Sequence, residues 1–369
     1  MDVLGKNWYN FLITCLIGLT VKGLVMELDV HKPTILVTGG AGYIGSNAAF
    51  LLSQQGYQVV IIDNFKHGQQ FYPDWARVIK CDFSDQSILD QIFTHYNVEA
   101  VMHFAGLIEV GASVRDPKIF YEENVVKVLK LLNKMQEHGI DKFVFSSSAA
   151  VYGTPTKVPI VEEHPCNPIN PYGNTKYAVE CMLSDFSRAY GLNFVALRYF
   201  NAAGADVENG LGERHKPETH VIPLLLEAAQ SGETFSIFGN DYQTPDGTCI
   251  RDYLHVKDLA SAHYKALKFL DGNKSAVFNL GTGIGASVSE LVNMVTKQTG
   301  LSINVEVKKR RSGDPDRLVA DPSRASTLLG WKPEYSSLET IIADAWLFYQ
   351  KPDAVLYYSD QSYQQSSVF

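Results

Sequence analysis

Residues 34–45 read TILVTGGAGYIG. The first five, Thr34 to Thr38, are β-branched or apolar throughout, which is how a strand buried on both faces is written. The glycines that follow contain G-x-G-x-x-G from Gly40 and, in a wider spacing, G-x-x-G-x-x-G from Gly39. In such a string glycine makes a tight turn, lets backbone approach a pyrophosphate and allows close packing of helix on strand. The helix that follows offers N–H donors and the positive end of its dipole.

Taken alone the string is common, and a glycine turn kept only for packing is the alternative. Its surroundings decide the matter. A strand precedes it, a helical run continues to Gln55, and a second apolar run, Gln58 to Asp63, completes a βαβ unit. Asp63 falls near the offset of roughly 20 residues at which an acid accepts from a ribose 2′-OH. It would also repel a 2′-phosphate, so NAD is expected rather than NADP.

Three further apolar runs, Ala100 to Phe104, Lys142 to Ser146 and Phe194 to Arg198, each follow a helical stretch. This alternation predicts an α/β fold, a Rossmann-type doubly wound parallel sheet whose ligands lie beyond the carboxyl ends of the strands. After Asn201 the chain loosens into Gly-, Asn-, Asp- and Pro-rich loops, with helical stretches at Ile222 to Ser231 and Val288 to Gly300. A smaller α/β substrate-binding domain is expected there. Val256 to Phe269 and Ala276 to Leu280 are regular again and are read as returning to the first domain. The expected division is an extension at 1–32, a dinucleotide domain at 33–202 rejoined by 253–283, a second domain from 203–252 and 284–350, and a polar tail at 351–369.

Tyr172 and Lys176 follow the turn Asn170-Pro171 and lie one helical turn apart on one face. A phenol of pKa about 10 is a poor base at neutral pH, but a neighbouring ammonium and a cationic nicotinamide both favour the phenolate. Lys176 is expected to supply its charge permanently. Tyr–Lys pairs at this spacing are frequent on helix surfaces; position in the fold is what singles this one out. The run from Lys142 ends in Ser146, Ser147 and Ser148, placing hydroxyls at the edge of the sheet where chemistry is expected, with Ser148 able to hydrogen-bond a sugar oxygen. No G-x-S-x-G elbow suggests a serine hydrolase, and no H-E-x-x-H or Cys/His cluster suggests a metal.

The net charge of −8 and the lack of a basic run argue against a nucleic-acid surface. Five scattered cysteines without a CxxC pair suggest neither a disulfide framework nor a zinc site, which fits a reducing, cytoplasmic compartment. Phe11 to Met26 is apolar apart from Lys22, yet shorter than the roughly 20 residues a membrane span needs. It is read as a non-essential extension upstream of a start at Met26. The polar tail after Tyr358 is expected to fray.

Several longer stretches now come together: TGGAGYIGS from Thr38, DNF at Asp63, HFAG from His103, SSSAAVYG from Ser146, PYGNTK from Pro171, LRYFNAAGA from Leu197, FGNDYQTPDGTCIRDYLHV from Phe238 and FNLGTG from Phe278. In these the chain resembles the extended short-chain dehydrogenase/reductase family and, within it, the UDP-glucose (UDP-galactose) 4-epimerases. The resemblance covers nearly everything from Pro33 to Tyr349 and implies an isomerase. In such enzymes a tyrosine removes the 4-OH proton while hydride passes from C4 to NAD, and the 4-keto sugar turns over to be reduced on its other face. It assigns the base to Tyr172, charge and a ribose contact to Lys176, and hydrogen bonding at O4 to Ser148. Around NAD it places Gly39, Gly42, Tyr43, Ile44, Gly45, Asp63, Asn64, Asp82, Phe83, Phe104, Ala105, Gly106 and Asn124, besides Tyr172 and Lys176. Around the uridine diphosphate it places Asn201, Arg251, Arg311 and Asp314, and guanidinium groups suit phosphate oxygens. It also implies a homodimer.

Three positions depart from the family's pattern. Ile108 stands where Lys is frequent. Leu318 stands where the family varies between a bulky tyrosine and small residues, a choice linked to 2-acetamido sugars. His220 stands where some members carry Asn beside the nucleotide. The sugar is therefore left open between UDP-glucose/UDP-galactose, UDP-N-acetylhexosamines and UDP-xylose/UDP-arabinose. A 4,6-dehydratase is disfavoured because Ala149 and Ala150 follow the strand-end serine where that chemistry needs Asp and Glu. A non-catalytic NAD-binding regulator on the same fold is the rival from another class, disfavoured by intact Tyr172, Lys176 and Ser148.

Overall fold

The computed structural model describes residues 32–66, 72–215, 218–311 and 314–351. The apolar segment Phe11 to Met26 and the tail after Tyr358 lie outside the described residues.

In chain order the first half comprises β1 (Thr34–Thr38), α1 (Tyr43–Gln54), β2 (Gln58–Asp63), β3 (Arg77–Lys80), α2 (Gln86–His95), β4 (Val98–His103), α3 (Val110–Arg115), α4 (Pro117–Tyr121), a π-type turn (Glu122–Val126), α5 (Lys127–Glu137), β5 (Lys142–Ser148) and a 3₁₀ turn (Ala149–Tyr152). There follow α6 (Pro171–Tyr190), β6 (Asn193–Tyr199), β7 (Asn201–Ala203), α7 (Val221–Ser231), β8 (Thr234–Phe238), β9 (Ile250–His255) and α8 (Val256–Leu270). The described residues end with β10 (Ala276–Leu280), β11 (Gly285–Ser287), α9 (Val288–Thr299), β12 (Asn304–Lys308), β13 (Arg317–Leu318), α10 (Ser323–Leu328) and α11 (Leu338–Tyr349).

Seven strands form one parallel sheet in the order β10-β6-β5-β4-β1-β2-β3. The doubly wound Rossmann-type sheet expected from the sequence is present. Its order reverses between β1 and β4, the switch point at which such sheets bind ligands beyond their strand ends. Alternation along β1 shows why every residue there is apolar or β-branched. Ile35 and Val37 enter a core with Ala48 and Leu52 of α1 and Leu259 and Ala266 of α8. Leu36 enters the opposite core with Leu89 of α2, Leu131 of α5 and Val179 of α6. Each such fully buried side chain contributes roughly 1.5–3 kcal/mol. Ala276–Leu280 is the edge strand beside β6, as its regularity suggested.

Outside this sheet, β9 pairs with β7, β11 and β13, and β12 pairs with β8. A third core there gathers Ile222, Leu225, Leu291, Val295, Ile341 and Ile342 from α7, α9 and α11. Several boundaries differ from the sequence reading by one or two residues, and two of these bear on the site. Phe104 lies beyond β4, where its N–H turns back to the Thr38 carbonyl. The strand expected to end at Ser146 runs on to Ser148, because Ser147 and Ser148 pair with Arg198 and Tyr199 of β6.

Candidate active site

The loop from β1 enters α1 without a side-chain cap and without an acid in the first helical turn. The orphan N–H groups and positive dipole end are thus left for an anion. Gly39 has φ +71°, and a Cβ there would lie 2.5 Å from the Ala105 nitrogen. A Cβ on Gly45 would overlap the Gly39 carbonyl oxygen. Both positions therefore need glycine, and Gly42 sits between them as the N-cap residue. Asp63 Oδ2 accepts from the Ala41 N–H at 3.1 Å and Oδ1 from the Phe65 N–H at 2.9 Å, so the carboxylate is anchored beside the turn. Asn64 Oδ1 accepts from the Lys66 N–H at 3.0 Å. Ile44 packs against the first core, and the Tyr43 hydroxyl donates to the Gly204 carbonyl at 2.6 Å.

The stretch after β4 forms the facing wall. The Phe104 and Ala105 N–H groups donate to the Thr38 carbonyl at 2.9 and 3.1 Å. Asn124, in the π-type turn, receives the Leu107 N–H at 2.8 Å and donates to the Leu107 carbonyl at 2.9 Å and to Thr175 Oγ1 at 3.2 Å. It binds this wall to α6. A Cβ on Gly106 would lie 3.0 Å from Asn124 Oδ1 and 4.0 Å from Lys176 Nζ. The turn, the wall and the lysine are thus contiguous. His103 is buried, with Nδ1 2.6 Å from Thr38 Oγ1. Burial first, and the Lys176 charge second, lower its pKa to about 3, so it is neutral. Asp82 is held by Lys127 at 2.6 Å, whereas the Phe83 ring is buried edge-on against His103 and leaves only backbone for a ligand.

Asn170 caps α6 by accepting from the Gly173 N–H at 2.8 Å, and Pro171 occupies the first turn. This start places Tyr172 and Lys176 facing the end of β5. Lys176 Nζ donates to the Ser146 carbonyl at 2.8 Å and lies 5.0 Å from the Phe145 ring centroid and 5.9 Å from that of Tyr172. Only 4% of Lys176 is exposed, and burial lowers its pKa to about 8 against a raising contribution from Glu180. The charge expected to be permanent is therefore conditional. Burial likewise raises the Tyr172 pKa, and a hydrogen bond with Ser148 is what opposes it. Ser148 Oγ also accepts from the Ala150 N–H at 3.2 Å.

Behind this group lies a buried network that the motifs did not reveal. Glu180 Oε1 accepts from Ser147 Oγ at 2.5 Å, and Glu180 is paired with Arg198 at 2.5 Å. Arg198 Nη1 donates to the Tyr152 hydroxyl at 2.8 Å, which donates to Asn279 Oδ1 at 2.7 Å. A charged residue inside an apolar strand, as in Arg198 of VALRY, is the signal that a buried partner was required.

Four of the candidate substrate residues, Asn201, Arg251, Asp314 and Leu318, gather around β9, whereas Arg311 and His220 lie beside β8 and α7. Arg251 pairs with Asp314, Leu318 is in register with Arg251, and Asn201 Nδ2 donates to the Asp252 carbonyl at 2.9 Å. Arg311 stacks over Phe238 at 4.2 Å. Leu318, like Cys166 and Phe200, packs against the cluster of Ala149, Val151, Tyr152 and Ile160. His220 precedes α7, 2.6 Å from Glu213; burial would lower its pKa, but Glu213 and Glu218 outweigh that and raise it to about 10. Ile108 is exposed.

Known proteins share this fold and much of this sequence. The UDP-glucose 4-epimerase of Halalkalibacterium halodurans is 49% identical over 320 residues, which is 86% of this chain and 96% of that protein. The Brucella ovis UDP-glucose 4-epimerase solved in complex with NAD superposes with a TM-score of 0.83 at 46% identity, covering 85% of this chain and 97% of that one. The Bifidobacterium longum UDP-glucose 4-epimerase solved with NAD+ and UDP gives a TM-score of 0.82 at 37% identity, covering 86% and 98%. The profile of the NAD dependent epimerase/dehydratase family matches residues 35–281, from the first strand through the tyrosine helix to the last strand of the parallel sheet. That match spans more than half of the chain, which therefore belongs to the NAD dependent epimerase/dehydratase family.

Proposed function

We propose that this chain interconverts UDP-glucose and UDP-galactose as an NAD-dependent 4-epimerase. The relatives of that name match it over most of their length, and relatives solved with NAD and with UDP share its fold. One structural observation supports the reading above others: the glycine turn abuts Ala105, and its neighbour Gly106 abuts Lys176. A ligand seated on the turn thus reaches the tyrosine helix directly.

The turn fits NAD chemically, with glycines that admit no Cβ, an uncapped helix start for the pyrophosphate and Asp63 for a ribose. Bound there, NAD supplies a reversible hydride acceptor for C4. Tyr172 takes the 4-OH proton and returns it after the sugar has turned, so no net proton or electron pair is consumed. Ser148 holds the phenolic oxygen and the sugar O4 in line. Lys176, fixed by the Ser146 carbonyl, stabilises the phenolate and aligns the ribose. Asn201, Arg251, Arg311, Asp314, His220 and Leu318 hold the nucleotide and frame the sugar. Arg251 already has a carboxylate partner in Asp314, which presets its direction.

We further divide the chain into a dinucleotide domain at 33–202 with 253–283 and a substrate domain at 203–252 with 284–350. The membership of β10 in the seven-stranded sheet supports the return of the chain to the first domain, while β9, in the outer sheet, straddles the boundary at 252/253. A cytoplasmic location is supported by the free thiols of Cys81, Cys166, Cys181 and Cys249. No helix among the described residues is long and apolar enough to cross a membrane. A homodimer is supported by exposed apolar side chains on α3, α4 and the following turn.

The test is to supply purified protein with UDP-galactose, UDP-N-acetylglucosamine and UDP-xylose in separate assays without NADH. UDP-glucose should form from the first. Failure to turn over any of them with dinucleotide bound would leave only a binding protein.

A further inference from the structure

Beside the nucleotide site, to which His220 also belongs, the segment between β7 and α7 brings four metal-ligating side chains to one point. Donor atoms of Glu213, His215, Glu218 and His220 all lie within 4.8 Å of one another. His220 Nδ1 lies 2.6 Å from Glu213 Oε1 and 3.5 Å from Glu218 Oε1, and His215 Nδ1 lies 3.0 Å from that same Glu213 oxygen. Four ligands about 2.0–2.2 Å from a tetrahedral ion stand roughly 3.4 Å apart, so donors 2.6 to 4.8 Å from one another reach that geometry with side-chain shifts of about an ångström.

Two features distinguish this from an ordinary surface ion pair. The His215 Nδ1 atom is buried and makes no hydrogen bond, although the Glu213 oxygen is within reach. Glu218 Oε1 is oriented by the N–H groups of Thr219 and His220 at 2.7 and 2.8 Å. Two imidazoles thus turn the same nitrogen toward one oxygen of a largely buried carboxylate, with Glu218 alongside, so four donors converge on one point. A dication satisfies both imidazoles and balances the two carboxylates.

We propose that Glu213, His215, Glu218 and His220 bind one divalent transition-metal cation of the Zn2+ class. Imidazole and carboxylate donors without thiolate suit Zn2+ and Co2+ rather than Cu+, and imidazoles disfavour Ca2+. The E-x-H-x-x-E-x-H spacing matches none of the standard metal motifs, so motif scanning passes over it. The ion would fasten the segment at the start of α7. It would also hold Glu213 and Glu218 near Tyr43 of the glycine turn, whose phenol pKa is raised by burial and then by these two carboxylates.

The site is tested on full-length protein with its bound dinucleotide, stripped with a chelator and titrated with Zn2+ by calorimetry and with Co2+ by visible absorption. Uptake of one ion per chain, weakened at least tenfold in His215→Ala with dinucleotide content unchanged, is the expected result. Should His215→Ala lose its dinucleotide or unfold, Glu218→Gln is read in the same way. No stoichiometric uptake by the wild type, or uptake unaffected by the folded variant, overturns the proposal. Neither reading depends on epimerase turnover.

Discussion

Lys176 Nζ donates to the Ser146 carbonyl oxygen at 2.8 Å, tying α6 to β5 two residues before Ser148. The bond fixes the ammonium but does not rehydrate it, and burial lowers its pKa from 10.5 to about 8. Two pH effects of opposite direction follow. Catalysis needs the cation, so turnover should fall as pH rises through about 8. Stability should move the other way. Between about 8 and 10.5 the unfolded chain binds the proton that the folded chain has lost, so folding gains with pH, by roughly 3 kcal/mol across the window. A kcat profile and Tm measured against pH check both. Lys176→Met should flatten the stability trend, and a trend unchanged in that variant would refute the assignment.

Tyr172 is the acid–base group whose pKa burial raises and Ser148 pulls back. Ser148→Ala should therefore raise the Tyr172 pKa further and lower kcat at neutral pH by about 10²-fold, with KM little changed. Tyr172→Phe should cost about 10²–10⁴ in kcat with dinucleotide content intact. Steady-state kinetics on both variants separate the roles. A Tyr172→Phe enzyme of near wild-type rate would remove Tyr172 from the mechanism.

The Glu180–Arg198 pair is buried, with both side chains at or below 6% exposure, and Ser147 and Tyr152 complete its hydrogen bonding. Removing one member strands a charge. Glu180→Leu alone should cost about 3–5 kcal/mol in urea unfolding, whereas Glu180→Leu combined with Arg198→Met should recover much of it. Equal losses in the single and double variants would show that the pair does not act as a unit.

These examples mark what the chain's own text discloses. The strand Thr34–Thr38, the glycine turn, Asp63 and the Tyr172–Lys176 helix were legible because each is written in a short window: a run of buried residues, a spacing of glycines, a cap followed by one helical turn. Their convergence was legible only through the alternation of elements that implied a parallel sheet. The Lys176 pKa was not, because its surroundings come from β4, β5 and α6 together. Asn124 was placed near the cofactor by resemblance, but its role in joining the wall to α6 was not legible, because its partners Leu107 and Thr175 lie 17 and 51 residues away. Glu213, His215, Glu218 and His220 are near in sequence, but a spacing does not disclose that the loop folds their donor atoms inward.

The face carrying Val110, Val114, Ile119, Tyr121 and Val126 leaves each of these at least 42% exposed, with Tyr177 of α6 close by in exposure. Large exposed apolar side chains this close in the chain are the material of an association site. Val114→Arg with Ile119→Arg should convert a dimer to a monomer in sedimentation equilibrium. A wild-type chain that is monomeric at micromolar concentration would dispose of the homodimer.

Glycines of the dinucleotide turn should rank by what a methyl group would meet. At Gly45 it overlaps the Gly39 carbonyl oxygen and lies 3.0 Å from Gly40 Cα, so the helix start itself must move. At Gly42 it lies 3.3 Å from the same oxygen, which a shift of a few tenths of an ångström relieves. Gly45→Ala should therefore lose most bound dinucleotide and with it turnover, while Gly42→Ala should keep measurable amounts of both. Gly139 is the control for positive φ without crowding: it has φ +70° and nothing within 4 Å of its Cβ position, far from the turn in sequence. Gly139→Ala should lower stability by about 1 kcal/mol through backbone strain while leaving dinucleotide content unchanged. The ratio of bound dinucleotide to protein in the three variants, read by absorbance after denaturation, tests the order. Equal retention in Gly45→Ala and Gly42→Ala would mean that close approach within the turn is not what the glycines provide.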